Sequence, residues 1–363
     1  MVRMQDVAER ANVSIATVSF VVNNTKPVAA ATRSRVEAAM TELGFTRNVL
    51  ARALASRRSR IIALQFPEME QRMNAGALQF VHGAAAAAAA RDHHLVLWPV
   101  GNDPVALREY LEGGLVDGVL AMEVQLEDPR VPLLEAVGMP FVLIGRTADT
   151  SGYAFADIDF EAGTTDALAR LRALGHSSVA LVLERHGALG ASAYGPLARV
   201  EETYRDAAAA AGARRLVVHC ERSAEGGLAA AAELLEADPA FTAVVVMNDE
   251  AAPGLVKGLR RGGARVPEDV SVIGLSMSTA SASFADPALD HLAPPGAALG
   301  RAAAHALIDR LEDPEAAPIR TLLPCTPMAG ASVAPARVRR LPRTAPDPRR
   351  SGRIEAPSIG STS

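Results

Sequence analysis

The chain is poor in the residues that usually announce chemistry. It has only two cysteines, Cys220 and Cys325, without metal-ligand spacing, which excludes a disulfide framework and a structural zinc site and leaves them as small buried hydrophobes. Lysine is nearly absent, 2 against 35 arginines, and aromatic residues make up only 4%. No apolar run reaches the roughly 18 residues a membrane-spanning helix needs, and the first segment reads as a polar helix instead of a signal peptide. A cytoplasmic protein with no membrane partner is expected. Enzyme signatures are missing too: there is no Walker loop, GxGxxG or HExxH. The nearest approach to a nucleophile elbow, Gly274-Leu275-Ser276-Met277-Ser278, lacks the second glycine that permits the sharp turn. His93 and His94 are adjacent and point apart, a poor metal pair. Asp157 and Asp159 share a side of an extended segment and could hold a cation, although a loop between lobes accounts for them as well. A non-enzyme without cofactor or metal is expected.

What is present begins at the N-terminus. At 49% hydrophobic and 21% charged, 363 residues make a globular chain of more than one domain. In Met4 to Asn23, Val7, Ala8 and Ala11 share one helical face while Gln5, Asp6, Glu9 and Arg10 share the other. Asn12 stands where the chain must reverse, and Ser14 stands as an N-cap before a second helix. That helix, Ile15 to Val22, is too β-branched to be stable without packing. A third is expected from about Ala30 to Leu43, ended by Gly44. Two short helices at a tight turn are the spacing of a DNA-reading helix-turn-helix; a three-helix packing unit without nucleic acid is the alternative. Charge separates the two readings, because residues 1 to 60 carry +6 and the remainder −10, so the basic end is the one suited to phosphate.

From Arg60 onward, apolar runs alternate with Ala/Leu-rich helices: 61–66, 95–100, 118–122, 141–145, 179–183, 215–219, 243–247 and 270–274. Continuous apolar strands separated by helices predict parallel sheets covered on both faces. Eight strands exceed one compact sheet of this pattern, and a second start near Asp159 places a boundary at about 157 to 160. The fold class expected is a small all-α helix-turn-helix headpiece followed by a two-lobed α/β core. Residues 336–363, rich in Pro, Arg, Ser and Gly, have too few apolar residues to fold.

The segments DVAERANVSIATVSFVVNN, TRSRVEAAMTELGF and NVLARALA resemble the headpiece and hinge of LacI/GalR-family transcriptional regulators, and PEDVSVIG and VVVMND resemble their core. The resemblance spans residues 1 to about 335 and implies a headpiece at 1–46 and a hinge at 47–59. It further implies a core at 60–335 like periplasmic sugar-binding proteins, with one lobe at about 60–158 and 291–323 and the other at about 159–290 and 324–335. It also implies a repressor that binds a palindromic operator as a homodimer, under control of an effector in the inter-lobe cleft. A periplasmic-type binding protein without DNA is the competing class, disfavoured by the basic headpiece. Carried over by position, Ser14, Ile15, Ala16, Thr17, Ser19, Phe20 and Asn23 would meet DNA, with Ile15 and Ala16 at base edges. Phe20 stands where the family often has arginine. In the hinge, Asn48, Ala51, Arg52 and Leu54 would lie in the minor groove with Leu54 as the wedge; a plain basic linker is the alternative.

The pocket departs from the family pattern. Asn248 and Asp249 keep its Asn-Asp, although a helix cap accounts for Asp249 equally well. Its aspartate after the IG of 273–274 is replaced by Ser276 and Met277. Arg146, Arg199 and Arg222, with Ser276 and Asn248, are therefore expected to line the cleft and to favour an anionic effector such as a sugar phosphate or organic acid, unless the arginines are solvated rim residues.

Overall fold

In a computed structural model, residues 2–23, 26–45, 58–66, 75–185, 194–238 and 240–337 are described. The N-terminal unit is built from α1 (Met4–Ala11), α2 (Ile15–Asn23) and α3 (Ala30–Leu43). Each boundary has a local cause. Asp6 reaches back to accept the Arg3 N–H at 2.8 Å, Asn12 takes the left-handed conformation at φ 51° to end α1, and Gly44 does the same for α3 at φ 64°. Ser14 Oγ accepts the Thr17 N–H at 3.1 Å and opens α2. The apolar stripes of the helices meet in one small core of Val7, Ala8, Ala11, Val18, Val21, Val22, Val36 and Ala39. This packing holds the β-branched α2 in place.

The larger unit contains two six-stranded sheets. The first has the order β11 (Arg320–Leu323), β5 (Ala154–Ile158), β4 (Phe141–Ile144), β3 (Gly118–Ala121), β1 (Ile61–Gln65), β2 (His94–Trp98). The second has the order β12 (Thr326–Met328), β10 (Asp290–Ala293), β9 (Ser271–Leu275), β8 (Ala243–Met247), β6 (Val179–Glu184), β7 (Val217–Cys220). Pairings from β1 through β3, β4 and β5 to β11 are parallel, as are those from β7 through β6, β8 and β9 to β10, while β12 pairs with β10 antiparallel. Strands β3, β4, β5 and β9 are buried at every residue, as strands covered on both faces must be.

Four strands escape the apolar-run reading. β5 is interrupted by Asp157, β10 begins Asp290-His291, and β11 and β12 are short edge strands. Asp157 therefore lies in a strand instead of a connecting loop, and Asp159 is the N-cap of α7 (Phe160–Ala173), its Oδ1 accepting the Ala162 N–H at 2.9 Å.

Glycines set the helix spacing. α4 (Ala75–Ala90) packs on α12 (Gly296–Glu312) where a Cβ on Gly83 would collide with the Ala297 carbonyl and one on Gly300 with that of Phe80. α9 (Ala224–Ala237) meets α10 (Ala252–Arg261) in the same way through Gly227 and Gly254. Because the colliding atoms are backbone, Gly254→Ala is expected to cost about 1–3 kcal/mol, read as a lower urea midpoint. An unchanged midpoint would show that the helices can separate freely.

Candidate DNA-reading helix and ligand cleft

The outer face of α2 is open at its start. Ile15 is 50% exposed, Ala16 is exposed, and Thr17, Ser19 and Phe20 are half-buried. Ser14 and Thr17 are linked through their hydroxyls at 2.9 Å as well as through the cap. Phe20 has a neighbour that spacing within the helix does not reveal: the Lys26 ammonium lies 5.1 Å from its ring centroid, a cation–π distance. Asn23 closes α2, and the hinge expectations at Asn48, Ala51, Arg52 and Leu54 fall outside the described residues.

In the larger unit the carboxyl ends of both sheets face one cavity, where parallel α/β sheets present loop residues and helix N-termini. From the first sheet come Phe66 after β1, Glu123 and Val124 after β3, Gly145 after β4 and Asp157 at the end of β5. From the second come Glu184 at the end of β6, Asn248, Asp249 and Glu250 after β8, and Ser276 after β9. Phe80, Phe160, Tyr194 and Arg222 complete its chemically distinctive lining. Glu123 and Ser276 hold φ values of 54° and 50°, a left-handed conformation costly for residues with a Cβ and typical of functional loops.

The structure corrects the cationic reading of this cleft. Arg146 and Arg199 are not among the residues lining it, and both are turned to internal partners. Arg146 donates from Nε to Asp157 Oδ2 at 3.1 Å and from Nη2 to Glu161 at 2.6 and 2.7 Å. Arg199 donates from Nη2 to the carbonyls of Arg146 and Thr147 at 3.1 and 2.9 Å, with its Nε 3.7 Å from Glu161. Arg222 does line the cleft, but beside Glu184 at 3.5 Å and Glu250 at 3.9 Å. Charge types were readable from the sequence, whereas the carboxylates that neutralise them come from other elements.

Asn248, expected at the effector, and Asp249, for which a helix cap is the alternative, both line the cleft. Asn248 is buried, its Oδ1 accepting the Ala251 N–H at 3.2 Å ahead of α10 while its Nδ2 donates to the Cys220 and Glu221 carbonyls at 3.4 Å. Asp249 instead reaches across to accept the Ser278 N–H at 3.1 Å, beside α11 (Thr279–Phe284). Ser276 lines the cleft.

Burial dominates the titration of these groups. It pushes the Asp157 carboxyl up to about 6, against the pull of Arg146 and Arg199, and raises Asp249 against its serine hydrogen bonds. The thiols are pushed up by burial, Cys220 to about 11 and Cys325 to about 12, so both stay protonated and unreactive at neutral pH. Among the described residues no group of His, Cys, Asp and Glu is placed to hold a metal, and no helix is long and apolar enough to cross a membrane.

Comparison with known proteins agrees with both halves of this geometry. Residues 3–48 match bacterial regulatory proteins of the lacI family, and residues 168–333 match a periplasmic binding protein-like domain. The HTH-type transcriptional regulator CelR of Thermobifida fusca is 34% identical over 331 residues, 88% of this chain and 95% of that protein. The HTH-type transcriptional repressor PurR of Klebsiella pneumoniae is 30% identical, covering 86% and 91% of the two chains. Among solved structures, a CelR–cellobiose complex superposes with a TM-score of 0.68 at 30% identity, covering 92% of this chain and all of that one. A lac repressor dimer bound to operator and an anti-inducer superposes with a TM-score of 0.76 at 25% identity, covering 92% and 99%. These relatives are transcriptional regulators, none of them named as an enzyme. With a helix-turn-helix unit, a two-lobed ligand-cleft core and relatives matched along most of its length, the chain belongs to the LacI family of DNA-binding transcriptional regulators.

Proposed function

We propose that the protein is a repressor that binds a near-palindromic operator as a homodimer and responds to a small molecule held in the cleft. The observation that carries the reading is the exposed start of α2, Ile15 and Ala16, on a unit whose excess charge is positive. One reading helix per chain and a palindromic site require two-fold symmetry. In this reading the headpiece occupies 1–46 and the hinge 47–59, with Asn48, Ala51, Arg52 and the Leu54 wedge in the minor groove. The core of 60–335 divides into lobes at about 60–158 with 291–323 and 159–290 with 324–335, and the tail expected at 336–363 falls outside the described residues from 338 on. The cell interior is its place of action.

Ser14, Thr17, Ser19 and Asn23 are assigned to phosphates and Ile15, Ala16 and Phe20 to base edges. Apolar side chains read thymine methyl groups and groove shape, so the preferred half-site is T-rich at its flank. Lys26, stacked on Phe20, supplies a phosphate contact adjoining that ring. The effector that suits the five carboxylates and four aromatic rings among the described lining residues is a hydroxyl-bearing molecule of the carbohydrate class, not an anion. The cellobiose complex of the CelR relative favours the same class.

Selection of bound sites from random DNA, repeated with sugars present, tests the reading. Palindromic sites released by a sugar support it, and absence of any enriched site defeats it. In the same selection Phe20→Arg is expected to introduce a guanine preference at one position per half-site, about 1–3 kcal/mol of discrimination. An unchanged site would remove position 20 from the reading face.

A further inference from the structure

The two walls of the cleft touch each other beside the cavity, through backbone and one buried arginine. α8 (Gly195–Ala210) packs on β6 and α7 on β8 and β9, so both helices belong with the second sheet. At the start of α8, Tyr194 bridges Gln125 in antiparallel pairing and the Gly195 N–H donates to the Val124 carbonyl at 3.2 Å, which ties it to the loop after β3. One helical turn on, Arg199 donates from Nη2 to the carbonyls of Arg146 and Thr147 in the loop after β4, and Glu161 of α7 grips the same loop through Arg146. Val124, Gly145 and Tyr194, at these joints, line the cavity. Arg199 is buried, so parting the walls strips its guanidinium of both acceptors, which opposes opening. Position 195 leaves room for a hydrogen atom only: a Cβ there would stand 2.5 Å from Arg199 Nη1 and 3.2 Å from the carbonyl oxygens of Val124 and Arg146. Nη1 is the end of a flexible side chain, so a methyl group displaces the guanidinium before it displaces backbone.

We propose that Gly195 and Arg199 form a clasp that holds the walls of the cleft together without a ligand, Arg199 being a positioning residue that acts through the loops after β3 and β4 instead of touching the effector. The bare Cα at 195 is its condition, and a side chain there sets the cleft ajar. The clasp serves the effector role proposed for this cleft, yet its opening is measurable with neither effector nor operator, so either reading can fail without the other.

Hydrogen–deuterium exchange of the full chain reads the backbone amide at position 195, whose acceptor lies on the opposite wall. In the unaltered protein this amide is expected to exchange at least about tenfold more slowly than an unbonded loop amide. Gly195→Ala and Arg199→Ala are each expected to speed it by about tenfold or more, with exchange in β6 and β8 unchanged. In Gly195→Ala/Arg199→Ala the methyl group enters the space that the guanidinium leaves, so the second substitution should add less than about twofold to the first. An unprotected amide at 195 in the unaltered chain, an unchanged rate in Gly195→Ala, or effects that multiply in the double variant overturns the clasp. Should Arg199→Ala fail to fold, the first two comparisons still decide.

Discussion

Asp128→Ala is expected to remove about 3–5 kcal/mol of stability, a large share of the roughly 5–15 kcal/mol that holds a typical domain together. Asp128 and Arg130 form a fork-to-fork pair, with Nε to Oδ1 at 2.8 Å and Nη2 to Oδ2 at 2.6 Å, and their side chains are 0% and 1% exposed. The carboxylate also accepts the backbone N–H groups of Gln125 and Arg130. Alanine leaves a buried guanidinium whose remaining hydrogen bond is to the Glu123 carbonyl at 3.3 Å, with Nη1 already without a partner. Removing both charges in Asp128→Ala/Arg130→Met is expected to recover much of the loss, because the cost lies in the uncompensated charge. Urea unfolding of the three proteins checks this. A loss under about 1 kcal/mol in the single variant would mean that water reaches Arg130. The pair anchors the turn that carries Glu123 and Val124 into the cleft, so the single variant should also weaken ligand binding.

How far the sequence reveals this molecule depends on how local each cause is. The headpiece is legible because its signals lie within a few residues of their effects: Asn12 reverses the chain, Ser14 caps, and Gly44 stops α3. The central strands are legible because burial on both faces demands unbroken apolar runs. β5 is not, since Asp157 interrupts the run and its nearest counter-charge is Arg146, 11 residues earlier in the chain. The cleft obeys the same rule on a larger scale. Arg146, Arg199 and Arg222 are rightly placed near the carboxyl ends of the strands, but Glu161, Glu184 and Glu250 neutralise them from different elements. The stacking of Lys26 on Phe20 depends on where the chain returns after α2, which helical periodicity does not encode.

Arg146→Ala should produce a loss of similar size, about 3 kcal/mol at neutral pH, with a pH dependence that identifies its origin. Arg146 stands at the end of β4 in the first sheet, and Glu161 on α7 and Arg199 on α8 (Gly195–Ala210) close around it from helices associated with the second. Without the guanidinium, Asp157, only 4% exposed, retains the Ile158 N–H at 2.8 Å and the more distant charge of Arg199. Burial already raises its carboxyl from 3.8 to about 6, so folding favours the protonated form. Its contribution to stability is therefore present below about pH 4 and lost as pH rises through about 6. Removing Arg146 lifts the folded value further, which moves that loss to higher pH and makes the variant far less damaged at pH 5 than at pH 8. In Arg146→Ala/Asp157→Asn the neutral amide should flatten this difference and restore part of the stability, leaving the cost of the lost Glu161 contact. Chemical unfolding at both pH values separates the outcomes: an equal loss at pH 5 and pH 8 would assign the role of Arg146 to Glu161 alone. Because the same side chain ties β4 to α7 and α8 beside the cleft, the variant should also respond less steeply to ligand in operator release, the expected signature of lobes whose closure is no longer coupled through this pin.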